Sequence, residues 1–424
     1  MSKLNKMVKI QEILKEISMG PFGSDIKVDS FVSEGTPVLN GLNLAGVKLV
    51  EDSFRYVTEE KAKTFKKAIA KRKDIVITHR GTLGQISFIP ENSKFESYVI
   101  SQSQFRVALK EELVDYKYFT YFFHTSEGQK RLLANKCHVG VPALAQATTN
   151  FRQVEIPLPD LPTQQKIASV LSSLDAKIEL NNRINAELEA MAKTLYDYWF
   201  VQFDFPDAEG KPYKSSGGEM VWSEELKREI PKGWRTGNIL EVAELLGGGT
   251  PNTKQTEYWG GNIPFFTPKD VETGVFVVTT LQSITELGLQ NCSSKLFPKG
   301  TIFITARGTV GNVNVASQNM AMNQSCYAFQ GKNDINYSFL YLFVSDVVLQ
   351  LKAKANGSVF DAIVSNDIRS TASAIPPNEL TQMFTKIGNN VFEKILSNKQ
   401  ENQQLSTLRD WLLPMLMNGQ VVVE

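Results

Sequence analysis

The run Asp74-Ile75-Val76-Ile77-Thr78-His79-Arg80-Gly81-Thr82-Leu83-Gly84 returns 227 residues later as Thr301-Ile302-Phe303-Ile304-Thr305-Ala306-Arg307-Gly308-Thr309-Val310-Gly311. Each copy reads as a short strand of alternating pattern that stops at an Arg-Gly turn. The same offset pairs Thr36-Pro37-Val38 with Ile263-Pro264-Phe265. Downstream, Gln102-Ser103 matches Gln324-Ser325, and Tyr116-Lys117-Tyr118-Phe119 matches Tyr337-Ser338-Phe339-Leu340. At an offset of 217, Gly140 matches Gly357, Arg152 matches Arg369, Lys177-Ile178 matches Lys394-Ile395 and Leu188 matches Leu405. An order kept this long while the offset shrinks by about ten residues is a tandem duplication with loop deletions in the second copy.

Each copy ends in a long helix. From Thr163, the residues Ile167, Leu171, Leu174, Ile178, Asn181, Asn185, Leu188, Ala192, Leu195 and Trp199 alternate spacings of four and three, the period of a coiled-coil seam. The second copy gives Phe384, Gly388, Val391, Ile395, Asn398, Asn402, Leu405, Arg409, Leu412 and Leu416, weaker at Gly388 and Arg409. Proline-rich stops precede both, Pro157-Leu158-Pro159-Asp160-Leu161-Pro162 and Pro376-Pro377-Asn378. About 38 residues at ~1.5 Å each make a rod of about 57 Å. Antiparallel pairing would set Asn181 against Asn402 and Asn185 against Asn398, where buried amides select a register. The competing seam runs through Ile184 and Met191 and leaves the asparagines exposed.

The segments ahead of the helices read as mixed α/β, with amphipathic helices over Tyr116 to Leu133 and Asn336 to Ala353. The expected fold is therefore α/β (α+β), a tandem duplication of two mixed domains separated by two long helices that pair as a coiled coil. The expected boundaries are 1–162 for the first mixed domain, 163–203 for the first helix and 204–234 for a loop-rich connector. The second domain spans 235–378, its helix 379–418 and a tail 419–424.

Composition removes several function classes. The 424 residues carry 46 Lys+Arg against 45 Asp+Glu with 42% hydrophobic content, too apolar for a disordered chain. No apolar run approaches the ~20 residues that span a bilayer, and Met1-Ser2-Lys3-Leu4-Asn5-Lys6 leads into no signal-peptide core, so a soluble cytoplasmic protein without membrane contact is expected. Cys137, Cys292 and Cys326 stand far apart, and His79, His124 and His138 lack ligand spacing, which argues against a metal site. There is no phosphate-binding G-x-x-x-x-G-K-[ST] loop. Gly247-Gly248-Gly249-Thr250-Pro251 reads as a turn, Ile375-Pro376-Pro377-Asn378 as a helix start, and Asp207 and Glu209 are too close for a nuclease metal pair. A chain that is not an enzyme by itself is expected, with no catalytic, cofactor-binding or metal-binding residues.

Two related modules on a spacer suit two related sites on a linear polymer, as in dimeric DNA-binding proteins. The first 162 residues hold a formal net charge of +5 and residues 163–230 one of −4, so no segment is plainly basic. A lysine cluster containing Lys66, Lys67 and Lys71 could meet phosphates or form a solvated face. Arg80 and Arg307, each before a glycine, could read guanine in a groove or brace their own turns. The candidate DNA contacts are these five residues with Gln85, Gln102, Ser103, Thr250, Lys269, Asn312, Gln324 and Ser325.

The chain resembles the specificity subunit of Type I restriction–modification enzymes over essentially its whole length. The resemblance rests on Ile156-Pro157-Leu158-Pro159 with Thr163-Gln164-Gln165-Lys166-Ile167, Leu174-Asp175-Ala176-Lys177-Ile178, Tyr198-Trp199-Phe200-Val201 and Pro231-Lys232-Gly233-Trp234. Gly248-Gly249-Thr250-Pro251, Ile263-Pro264-Phe265 and Arg307-Gly308-Thr309-Val310-Gly311 complete it, whereas the second copy has Leu380-Thr381-Gln382-Met383 in place of the Gln-Gln pair. The resemblance implies two target-recognition domains reading a bipartite, asymmetric site on double-stranded DNA, with the two long helices paired as an antiparallel coiled coil that sets the length of the unread spacer. It also implies two modification (methyltransferase) subunits that use S-adenosylmethionine to methylate adenine, and restriction/motor subunits that use ATP and Mg2+. A two-domain protein-interaction scaffold and an orphan DNA-binding protein without enzyme partners are the competing readings.

Overall fold

A computed structural model describes residues 6–21, 25–137, 141–354 and 362–423; His138, Gly140 and Gly357 lie outside them. The chain forms two compact units, residues 1–177 with 404–424, and residues 178–403.

The main sheet of the first unit is antiparallel, in the order Leu14–Met19, Gln104–Leu109, Ile75–Thr78, Ile86–Phe88. In the second unit the order is Ala243–Gly247, Cys326–Gly331, Ile302–Thr305, Val313–Ala316, with Phe276–Val277 parallel at the far edge. The four strands of the first sheet match the first four of the second in order and direction, so the duplication is one of topology, with Phe276–Val277 added at the edge of the second sheet. Each unit adds a smaller sheet and an antiparallel pair that joins its start to its end, Lys6–Lys9 with Glu155–Leu158 and Arg235–Asn238 with Ala372–Ile375.

The repeated strands depart from the alternation expected of them, because all four residues of each are buried. Ile75 and Ile77 enter the cluster of Phe105, Phe119 and Phe151, while Val76 joins Leu39 and Tyr98 behind the sheet. Ile302 and Ile304 enter one cluster and Phe303 another, stacked on Phe266 at 4.9 Å. A strand covered on both faces carries apolar residues throughout.

The helix expected over Tyr116 to Leu133 is two helices, Tyr116–Phe123 and Ser126–Leu132. Thr125 caps the second one, accepting from Gly128 N at 2.9 Å, and a Cβ on Gly128 would lie 2.1 Å from the Phe122 carbonyl. At the repeat offset of 221 the second copy has Asp346 and Leu349 at these positions, and its helix runs unbroken over Tyr337–Lys354.

The long helices span Leu161–Tyr196 and Asn378–Met417. The first begins two residues earlier than expected, because Pro162 is tolerated in a first turn and Asp160 accepts from Thr163 N at 2.9 Å. It ends in a π turn, Asp197–Val201, that puts both Trp199 and Phe200 on Phe384, at 5.9 and 5.4 Å.

Within the second unit the helices pair antiparallel through their asparagines. Asn181 Nδ2 donates to Asn402 Oδ1 at 2.9 Å, and Asn398 Nδ2 donates to Asn185 Oδ1 at 2.8 Å. All four are at most 9% exposed, while Met191 is 52% exposed, which removes the competing seam. The weak heptad positions have their own partners. Arg409 meets Asp175 at 2.7 Å inside the first unit, and Gly388 leaves room for Ser338, whose Oγ is 3.0 Å from where a Cβ would stand.

A buried amide deprived of its partner costs about 1–3 kcal/mol, whereas replacing both partners by apolar groups is nearly neutral. Asn185→Leu or Asn398→Leu alone should therefore destabilise the chain, and the double replacement should recover most of the loss. Denaturant unfolding of the four proteins of this cycle measures it. Additive losses would mean that the two amides do not depend on each other.

Candidate nucleic-acid interface

Both Arg-Gly turns emerge from the doubly covered strands into one backbone frame. In the first unit His79 N donates to Ser103 O at 2.8 Å, Leu144 N to His79 O at 2.8 Å and Gly81 N to Pro142 O at 2.9 Å. The second unit repeats the frame, with Ala306 N donating to Ser325 O at 2.8 Å and Ile363 N to Ala306 O at 2.9 Å. Arg80 bridges Ala143, and Arg307 bridges Ala362. Gly81 and Gly308 follow at φ 89° and 83°, a left-handed conformation that glycine adopts without Cβ strain. Both arginine side chains are exposed. The structure thus brings Gln102-Ser103 to Arg80 and Gln324-Ser325 to Arg307.

In the first unit, Lys67, Arg80 and Gln102 line a cleft of about 610 Å3 together with His79 and Arg152. No acidic side chain is among its described lining. Burial holds the His79 imidazole below its ordinary value, and the Arg80 charge acts in the same direction against the bond to the Gln102 carbonyl. His79 is thus neutral near pH 7, and the cleft's positive charge comes from Lys67, Arg80 and Arg152. Lys67 owes its place to the buried Arg106, whose Nε donates to the Lys67 carbonyl at 3.1 Å. That guanidinium also meets Glu16 at 2.6 Å and Asp74 at 3.2 Å, and burial pushes the Asp74 carboxyl up against the pull of Arg106. Lys66 and Lys71 are exposed but do not line the cleft, and neighbouring Lys73 is held by Glu91 and Glu111 at 3.0 and 2.8 Å.

The second unit gathers a different set. The Thr250 hydroxyl donates to the Gln324 carboxamide oxygen. Thr309 Oγ1, two residues past Arg307, donates to the Pro268 carbonyl at 3.3 Å, beside the exposed Lys269.

Two candidates have their amides engaged within the protein. Gln85 accepts from Thr78 Oγ1 at 3.2 Å and donates to the Gly41 carbonyl at 2.9 Å, so both ends of its amide hold the turn. At the same repeat position Asn312 Nδ2 donates to the Thr309 carbonyl at 2.7 Å, closing its own turn. Arg152, which lines the cleft, and Arg106, which holds Lys67 there, are not among the sequence candidates, although Arg152 stands out as the repeat partner of Arg369. Arg106 had a signal, as the lone charge in the strand Gln104–Leu109. Among the described residues no three His, Cys, Asp or Glu side chains converge as a metal site, and no helix is long and apolar enough to cross a membrane.

The family model for the Type I restriction modification DNA specificity domain matches residues 26–190 and 231–407. The chain is 27% identical over 374 residues to the Type I restriction enzyme MjaIX specificity subunit of Methanocaldococcus jannaschii, covering 87% of this chain and 82% of that one. It is 28% identical over 315 residues to the HindI specificity subunit of Haemophilus influenzae, covering 62% and 68%. Its fold is similar to the crystal structure of a Type I restriction–modification S subunit from M. genitalium, with TM-score 0.59 and 16% identity over 98% of this chain and 97% of that one.

A bidentate arginine–guanine contact supplies about 1–3 kcal/mol of discrimination. Arg80→Ala and Arg307→Ala should each lose that much base preference at a different stretch of DNA, read by competition binding against single-base variants. Gln85→Ala should lower the unfolding midpoint and leave the base preference unchanged. Unaltered preference in both arginine variants would reduce those residues to turn braces.

Proposed function

The chain belongs to the Type I restriction–modification DNA specificity family, and we propose that its two Arg-Gly turns each read one half of a bipartite, asymmetric DNA site. One observation carries this reading: the same backbone frame is built twice, and each time it leaves an arginine exposed at its rim. Direct readout needs that combination, a donor fork with a fixed origin and a free side chain. The surroundings differ, Lys67 and Arg152 beside Arg80 against Thr250 and Lys269 near Arg307, which suits two unlike half-sites.

On this reading the chemistry is performed elsewhere. Two modification subunits would bind S-adenosylmethionine and methylate adenine, and restriction/motor subunits would use ATP and Mg2+, while this chain would supply the sequence reading alone. The buried asparagines would fix the register of the helices and so the length of the unread spacer. Sliding one helix by a heptad shifts it by about 10 Å. At ~3.4 Å per base pair, that misplaces a half-site by about three base pairs.

Single-molecule sequencing of modified adenines in host DNA tests the proposal. A bipartite methylated motif should be present with the gene and vanish without it, and the purified chain should support methyl transfer only when the modification subunit is supplied. A methylation pattern indifferent to the gene, or methyl transfer by the homogeneous chain alone, would overturn it.

A further inference from the structure

The segment that pins each Arg-Gly turn runs directly into a short helix, Ala147–Gln153 in the first unit and Ser365–Ser370 in the second. The two helices correspond at the repeat offset of 217, and so do their faces. Phe151 and Ile368 are the buried anchors, at 3% and 1% exposure. Phe151 packs on Phe105 and Phe123 with ring centroids at 5.3 and 5.6 Å. Away from the core, Thr148 and Arg152 match Ser365 and Arg369. Residues four apart share one face of a helix, so each helix presents a hydroxyl and a guanidinium together. Both arginines are exposed, and among the described residues neither guanidinium forms an ion pair. In the first unit Thr148 and Arg152 line the same acid-free cleft as Lys67 and Arg80.

We propose that these two helices are phosphate clamps, in which Arg152 with Thr148, and Arg369 with Ser365, grip the DNA backbone beside each reading turn. The inference rests on the DNA-reading function proposed above and adds a division of labour to it. Half to two-thirds of protein–DNA hydrogen bonds go to phosphate and sugar, and these set orientation without carrying sequence information. A phosphate oxygen asks only for a donor, which is why threonine in one copy can be serine in the other. Because the clamp and the turn are tied by the same backbone bonds, a gripped phosphate would fix where Arg80 or Arg307 meets the base edges.

The test compares the full chain with its modification subunits, as wild type, Arg152→Gln, Arg369→Gln and Arg152→Lys. Binding is titrated from 50 to 200 mM KCl on a duplex carrying the site found by methylation mapping and on a scrambled duplex. One lost phosphate contact lowers the slope of log affinity against log salt by about 0.9. Each glutamine variant should show that drop and weaken both duplexes by the same factor, with an unchanged melting midpoint. Arg152→Lys should keep the wild-type slope. An unchanged slope and affinity, a loss confined to the mapped site, or a fall in melting midpoint with no change in slope would each overturn the clamp. If wild type itself failed to prefer the mapped duplex, the reading function would fail instead, and the slopes would still report on the clamp.

Discussion

Both Arg-Gly turns depend on a strand covered on both faces. Ile75–Thr78 and Ile302–Thr305 are apolar at nearly every position because each divides two hydrophobic clusters. Such a strand can end only by leaving the core, and the residues that follow must satisfy their backbone groups locally. They do so against Ser103 and Leu144 in one copy and against Ser325 and Ile363 in the other. The frame consists of backbone bonds, so the side chains around it can change without unseating the turn. Two copies can thereby keep one architecture and present different chemistry.

The long helices show a similar division between scaffold and choice. A seam filled with leucine alone would be more stable and less particular about register. The amides at 181, 185, 398 and 402 narrow that choice by pairing with one another. Where the heptad falters, a neighbour explains it. Arg409 is held by Asp175, and Gly388 makes way for the helix carrying Ser338.

The parts legible in the sequence were those encoded by long periods or by repetition. Helices of 36 and 40 residues carry enough heptads to be read directly, and their asparagines pair as an antiparallel seam requires. The membership of the cleft was not legible in the same way. Lys66, Lys67 and Lys71 look alike in one dimension, yet only Lys67 lines the cleft, through the carbonyl held by Arg106. Gln85 and Asn312 share a repeat position because each closes a turn, which looks the same in sequence as a shared binding role. The break at Thr125 turned on Gly128, whose close approach to Phe122 is a matter of packing. Arg152 and Arg369 were visible as a matched pair, but their common face appears only when Thr148 and Ser365 are set on the same short helices.

On the proposed function, each copy reads its own half of the DNA site through an independent backbone frame. Exchanging residues 1–155 for the same segment of a relative with a different site, then mapping methylated adenines, addresses it most directly. A hybrid motif is expected, in which one half is replaced while the other half and the intervening length are kept. A motif altered in both halves, or one left wholly unaltered, would contradict it.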